Sequence, residues 1–156
     1  KRDHYEAHLI VNDPLVFARS LYSKVDSVIF HVEACKSQNQ VWNIIKFLES
    51  KGKKIGIALN PKTKVESLFP YLKKINLVIV MTVSPGEYGG KFLSENLNKI
   101  KLLKVLNPRL QVEVDGGIND KTISKAALAG ANRFVVGSYL QKARDVKRAL
   151  KKLEKA

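Results

Sequence analysis

The sequence predicts an α/β fold built on a parallel sheet, and three observations carry that expectation. Short runs rich in Val, Ile and Leu alternate with stretches whose apolar residues recur at helical spacing. Several of the short runs are apolar throughout, as in Leu77-Val78-Ile79-Val80-Met81, the pattern of a strand covered on both faces. Strand and helix follow one another without a linker or low-complexity segment, so residues 1–156 are expected to form a single domain with right-handed crossovers. A closed ring of eight βα units usually takes ~250 residues. The six units expected here make either an open sheet or a barrel lacking two units.

The first strand is expected at Ala7–Val11, followed by a helix at Pro14–Tyr22 with apolar residues at helical spacing. Strand Ser27–His31 leads to helix Asn39–Ser50, which sets Val41, Ile44, Ile45 and Leu48 on one face. Strand Lys54–Leu59 precedes a short helix at Lys64–Leu72 with Glu66 in its first turn. Strand Leu77–Thr82 precedes helix Ser94–Leu106, which presents Leu97, Ile100, Leu103 and Leu106. Strand Gln111–Asp115 precedes helix Asp120–Ala129, opened by an acidic cap and stopped before Gly130. Strand Arg133–Gly137 and helix Ala143–Lys155 complete the pattern.

Bulk properties narrow the function. A hydrophobic content of 45% argues against disorder. No apolar run approaches the ~18 residues of a membrane helix, and no signal-peptide pattern is visible, so no membrane partner is expected. The first residue is Lys rather than Met, which fits removal of an original N-terminus. The lone Cys35 excludes an intrachain disulfide and points to a reducing, cytoplasmic setting. It reads as a small buried hydrophobe rather than a reactive thiol. The net charge of +14 attracts nucleic acid, anionic surfaces and phosphorylated metabolites alike. Lys147, Lys151, Lys152 and Lys155 recur at helical spacing and read as a solvated face. No aromatic residues interleave with a basic patch, so specific nucleic-acid binding is not expected.

Gln111-Val112-Glu113-Val114-Asp115-Gly116-Gly117 is the most informative stretch. It sets a carboxylate at the carboxyl end of a strand, where α/β proteins place their chemistry. The two glycines let backbone N–H groups approach an anion closely. Proton chemistry on a phosphorylated small molecule is the class this combination implies.

A series of segments then becomes specific. His8-Leu9-Ile10-Val11 is followed by Pro14, then come His31-Val32-Glu33-Ala34 and Gly56-Ile57-Ala58-Leu59-Asn60-Pro61-Lys62-Thr63. Met81-Thr82-Val83-Ser84-Pro85-Gly86, Val114-Asp115-Gly116-Gly117-Ile118, Ala129-Gly130-Ala131 and Val136-Gly137-Ser138 follow in order. In this order and spacing over residues 7–140, the chain resembles the ribulose-phosphate 3-epimerase family, isomerases of the pentose phosphate pathway. The resemblance implies a (β/α)8 TIM-barrel type fold, incomplete here, with the first two βα units absent from the sequence as given.

It also implies a reaction: interconversion of D-ribulose 5-phosphate and D-xylulose 5-phosphate by metal-assisted proton transfer. Two aspartates on opposite faces of the sugar move the proton, because one acid returns it only to the face it reaches. On this resemblance Asp115 is catalytic and a metal ligand. His8 is a metal ligand and lies at the substrate. Met81 gives the site an apolar wall. Gly86, Gly89, Gly90, Gly116, Gly117, Gly137 and Ser138 hold the substrate phosphate. His31 and Glu33 lie beside the site and are not ligands. Asn60, Pro61 and Thr63 shape a neighbouring loop, with Thr63 expected to cap the next helix. His4 has no motif partner and is expected at the surface. The implied cofactor is a divalent cation (zinc, iron(II), manganese or cobalt).

The chain also departs from the family pattern. The family's His-x-Asp pair, two metal ligands and the second catalytic aspartate, occurs nowhere in it. Weak metal binding and inefficient epimerisation by this chain alone are therefore expected, since stable sites take three or four protein ligands. A non-catalytic, epimerase-like phosphosugar-binding or interaction protein is the alternative, and a related barrel acting on another sugar phosphate is a lesser one. Glu87, Tyr88, Lys91 and Ile10 stand where the family carries other residue types, which bears on substrate preference. Two uncovered sheet edges favour self-association, so a homo-oligomer is expected.

Overall fold

The computed structural model describes residues 3–84, 86 and 89–156. Six strands, β1 (Glu6–Leu9), β2 (Ser27–His31), β3 (Lys54–Leu59), β4 (Leu77–Met81), β5 (Gln111–Asp115) and β6 (Arg133–Val135), are hydrogen-bonded in chain order. The β1/β2, β2/β3 and β5/β6 ladders are parallel. A helical segment follows each strand, the arrangement of TIM-barrel type folds, here with six βα units. The α-helices are α1 (Pro14–Leu21), α2 (Gln38–Ser50), α3 (Leu97–Leu106), α4 (Ile123–Leu128), α5 (Ser138–Gln141) and α6 (Val146–Lys155). By contact density the chain divides into two compact units, Lys1–Leu59 with Thr63–Ile79, and Asn60–Lys62 with Val80–Ala156.

In the first unit, Val28, Ile29 and Phe30 of β2 and Ile57, Ala58 and Leu59 of β3 are wholly buried. Helix α2 lays Val41, Ile44, Ile45 and Leu48 into this core. At roughly 1.5–3 kcal/mol per large apolar side chain removed from water, such a face outweighs the modest propensity of an isolated helix. The Oγ of Ser37 caps α2 at Gln40 N, and Asp13 caps α1 at Val16 N, ahead of Pro14 in the first turn. Gly56 is required by packing: a Cβ there would lie 2.4 Å from Cγ1 of Ile29, its partner across the ladder.

One device recurs at the start of every second strand. Asp26 precedes β2, Asn76 precedes β4 and Asn132 precedes β6. Each accepts through its side chain from a backbone N–H at the start of the preceding strand: Tyr5, Ile55 and Val112. Each also returns its own N–H to that residue's carbonyl, at 2.8, 2.8 and 3.0 Å. Register is thereby pinned by a reciprocal pair of bonds, and a one-residue slip would break both.

Several sequence expectations are corrected. The helix expected at Lys64–Leu72 is a 3-10 turn, Val65–Leu68. Pro70 lies inside the expected span, has no N–H to return to Glu66, and its ring clashes with that carbonyl. Thr63 does not cap it; Lys64 occupies the cap position, without a side-chain bond. Asp120 does not cap α4 either; Thr122 does by position, its hydroxyl turned to the carbonyl of Gly117. Helix α6 begins at Val146 rather than Ala143, because Asp145 caps it at Arg148 N. Strand β6 ends at Val135, and the expected Gly137 terminus is instead the cap position of the short α5.

Candidate functional site

The second unit gathers most of the expected phosphate-holding residues. Asp115 ends β5, half-buried, opposite Val135 of β6. Two residues earlier on the same face, Glu113 is buried and pairs with its ladder partner Arg133, Nε to Oε2 at 2.8 Å. Thr82, wholly buried just past β4, organises the turn beyond Asp115. Its N–H donates to the Asp115 carbonyl at 2.8 Å, and its hydroxyl lies within bonding distance of the carbonyls of Asp115 and Gly116, 3.1 and 2.6 Å. A trans peptide sets each N–H opposite the carbonyl that precedes it. With the carbonyls of Asp115 and Gly116 turned to Thr82, the amides of Gly116 and Gly117 face away from it. Gly117's own carbonyl is held by Asn119 Nδ2 and Thr122 Oγ1, which fixes the amide of Ile118 in the same manner.

This turn needs glycine. Gly116 has φ +118 and Gly117 φ +66, and a Cβ on Gly117 would come within 3.2 Å of the Phe92 backbone. The loop between β4 and α3 is closed at its base by Leu93 N to Thr82 O, 2.8 Å. Gly89 lies in that loop with φ +73. A Cβ placed on it would lie 3.8 Å from both Ser138 Oγ and Lys142 Nζ. Gly89, Gly90, Gly117 and Ser138 line one pocket of about 860 Å³. Glycine backbone, a hydroxyl and an ammonium thus border one space, groups of the kind that can bind an anion.

The other expected residues are placed as follows. Gly86 is exposed with φ +84, Gly137 is half-buried, and Met81 is buried at the end of β4. Pro85, Glu87 and Tyr88 lie outside the described residues. Lys91 is exposed and lines the same pocket. Sequence reasoning missed two contributors. Thr82 stands in the sequence only as one residue of the Met81–Gly86 segment, and Lys142 belongs to no motif. Its signal was spacing, one helical turn after Ser138.

In the first unit His8 lies on β1 and His31 ends β2. Their Nε2 atoms are 2.9 Å apart, with the rings stacked at 5.0 Å and 10°. That separation requires an N–H on one nitrogen and a lone pair on the other. Glu33 Oε2 stands 3.5 Å from His31 Nδ1. His4 is exposed, as expected. Among the described residues no group of three or more His, Cys, Asp or Glu side chains is placed to hold a metal ion. The donors present do not fit a resident metal, which takes three or four protein ligands. Cys35 is half-buried, and burial, then the charges of Asp13 and Glu33, push its thiol up to about 11, so it stays protonated at neutral pH. Among the described residues no helix is long and apolar enough to cross a membrane.

The pattern of the ribulose-phosphate 3-epimerase family matches residues 2–141. A ribulose-phosphate 3-epimerase of Schizosaccharomyces pombe is 40% identical over 145 residues, covering 88% of this chain and 62% of that protein. The cytoplasmic isoform of ribulose-phosphate 3-epimerase from Oryza sativa subsp. japonica is 38% identical over 141 residues, covering 88% of this chain and 61% of that protein. The chain thus spans about three-fifths of the length of these relatives. Among solved structures, 3-hexulose-6-phosphate synthase from Salmonella typhimurium superposes with a TM-score of 0.77 at 17% identity, covering 96% of this chain and 71% of that one. At that identity the likeness is one of fold.

Proposed function

The chain belongs to the ribulose-phosphate 3-epimerase family, and from that premise we propose that it carries the phosphate-holding part and one proton-transfer carboxylate of a cytoplasmic pentulose 5-phosphate epimerase of the pentose phosphate pathway. The substrate pair is D-ribulose 5-phosphate and D-xylulose 5-phosphate. The observation that carries this is Asp115 at the end of β5, followed by a turn in which Thr82 holds two carbonyls and aims the Gly116 and Gly117 amides away from itself. Amides so fixed bind a phosphate without reorganising, and the bound phosphate orients the sugar relative to Asp115. Asp115 is the group that removes or returns the proton at carbon 3 on one face. Gly86, Gly137 and Met81 belong to the same proposal, as further phosphate contacts and an apolar wall.

Inversion needs an acid on each face, and the sequence has no His-x-Asp to supply the second. That observation favours a second possibility, a phosphosugar-binding protein without turnover. Thermal shift and proton exchange in D2O separate the two. Ribulose 5-phosphate at about 100 times its Kd should stabilise the chain by about 2.7 kcal/mol. If the chain is catalytic, carbon 3 should lose its proton to solvent slowly, and Asp115→Asn should slow that exchange by roughly 100-fold or more while the thermal shift persists. A thermal shift without exchange in the unsubstituted chain selects the binding protein. No shift with any pentulose phosphate refutes both.

Self-association through sheet edges is also proposed. Strands β1 and β6 end the sheet order, and Tyr5, Ile10 and Val135 expose 58%, 64% and 37% of their surface. Light scattering should give a mass above the monomer's 17.5 kDa, falling toward it at low concentration. A constant monomer mass up to millimolar chain removes the proposal.

A further inference from the structure

The pocket that holds the phosphate-binding glycines extends well beyond them. At about 860 Å³ it is large enough for a whole metabolite. Away from the glycines its wall passes along α5, the following loop and α6, and it is strongly cationic. Among the described residues Lys91, Lys142, Arg144, Arg148 and Lys152 line it, with the carboxylate of Asp145.

These charges divide by position. Lys142 Nζ and Ser138 Oγ stand at the glycine end, over Gly89. Lys152 is drawn to Asp120, at 3.9 Å. Asp145 accepts from the backbone N–H of Arg148 and so holds the first turn of α6 in place. Arg144 and Arg148 flank that cap, and among the described residues neither guanidinium is held in an ion pair. A phosphate monoester carries at most about two negative charges, which the amides, Ser138 and Lys142 already meet. Two guanidiniums in the same pocket are then left with no role in holding that one group. A guanidinium presents a planar fork of donors matched to the oxygens of a second phosphate.

We propose that Arg144 and Arg148 form a second anion subsite, and that the pocket takes a sugar bisphosphate, one phosphate at the glycines and the other at the α5–α6 end. This rests on the phosphate-binding role proposed above for Gly89, Gly90, Gly117 and Ser138. Such a ligand competes with the monophosphate substrate, which makes it an inhibitor of substrate binding.

Calorimetry at fixed ionic strength, with a pentulose 5-phosphate and the matching 1,5-bisphosphate, tests the assignment. The bisphosphate should bind at least about ten-fold more tightly, a difference of 1.4 kcal/mol. In the double variant Arg144→Gln/Arg148→Gln that preference should fall below about three-fold while monophosphate affinity holds. Arg144→Lys/Arg148→Lys should keep part of it, since charge remains and the fork is lost. Equal binding of the two ligands by the unsubstituted chain overturns the second subsite and leaves the monophosphate site standing. So does a bisphosphate preference that survives Arg144→Gln/Arg148→Gln. Binding of neither ligand overturns both.

Discussion

Replacing Arg133 by Met should destabilise the chain by about 3–5 kcal/mol, the cost of breaking a buried ion pair from one side. The side chain of Glu113 is only 4% exposed and meets the Arg133 guanidinium at 2.8 Å, whereas the arginine is 35% exposed. The carboxylate therefore bears most of the desolvation, and the arginine's loss takes away the charge placed opposite it. Methionine keeps an apolar stem of similar reach, so lost packing contributes little. At 2–4 °C per kcal/mol for a chain of this size, the melting temperature should fall by roughly 6–20 °C. The effect extends to the site, because Glu113 and Asp115 lie on one face of β5 and their ladder partners Arg133 and Val135 lie on β6. The diagnostic measurement is the pair. Glu113→Leu/Arg133→Met removes both charges and should regain most of the stability that Arg133→Met loses, as buried pairs exchanged for apolar groups commonly do. A double variant no more stable than the single one would show that the charge left behind is not the cause.

Strands β2, β3 and β5 fall on the ranges expected from sequence because each is an uninterrupted β-rich run ended by polar or turn-forming residues. The Asp115-Gly116-Gly117 turn was equally legible, since a carboxylate and two glycines at a strand end restrict what the backbone can do there. Val65–Leu68 was not, because Pro70 cuts short the helix expected at Lys64–Leu72, an effect that is local and steric. Thr82 shows a different limit. Its hydroxyl is wholly buried because the carbonyls it faces belong to residues 33 and 34 positions away, and no local pattern encodes such a pairing. His8 and His31 likewise stood in separate motifs. Their contact follows only once β1 and β2 are parallel with His8 opposite Ile29, two residues before His31. Local chemistry was legible; the side chains that meet through strand pairing were not.

Gly116→Ala should cost roughly 2–6 kcal/mol, and Gly52→Ala about 1–2, although both glycines have positive φ. Gly52, at φ +65 beyond α2, has nothing within 4 Å of an added Cβ, so its variant reports backbone conformation alone. Gly116, at φ +118, would set its Cβ 2.5 Å from Val83 Cγ2 and 2.9 Å from Val83 N. The contacts demand movement of Val83, which adjoins Thr82, the residue that orients the Gly116 and Gly117 peptides. Displacing Val83 therefore turns the amides proposed to hold phosphate, and pentulose phosphate affinity should fall by about ten-fold or more. Adding Val83→Ala clears the two methyl contacts but not the backbone nitrogen. Gly116→Ala/Val83→Ala should recover only part of the affinity, after allowance for the cost of Val83→Ala alone. Urea midpoints with unchanged slopes give the stabilities, and calorimetry gives the affinities. If Gly116→Ala costs no more than Gly52→Ala and leaves phosphate affinity intact, the close approach of this turn to Val83 is not what shapes the site.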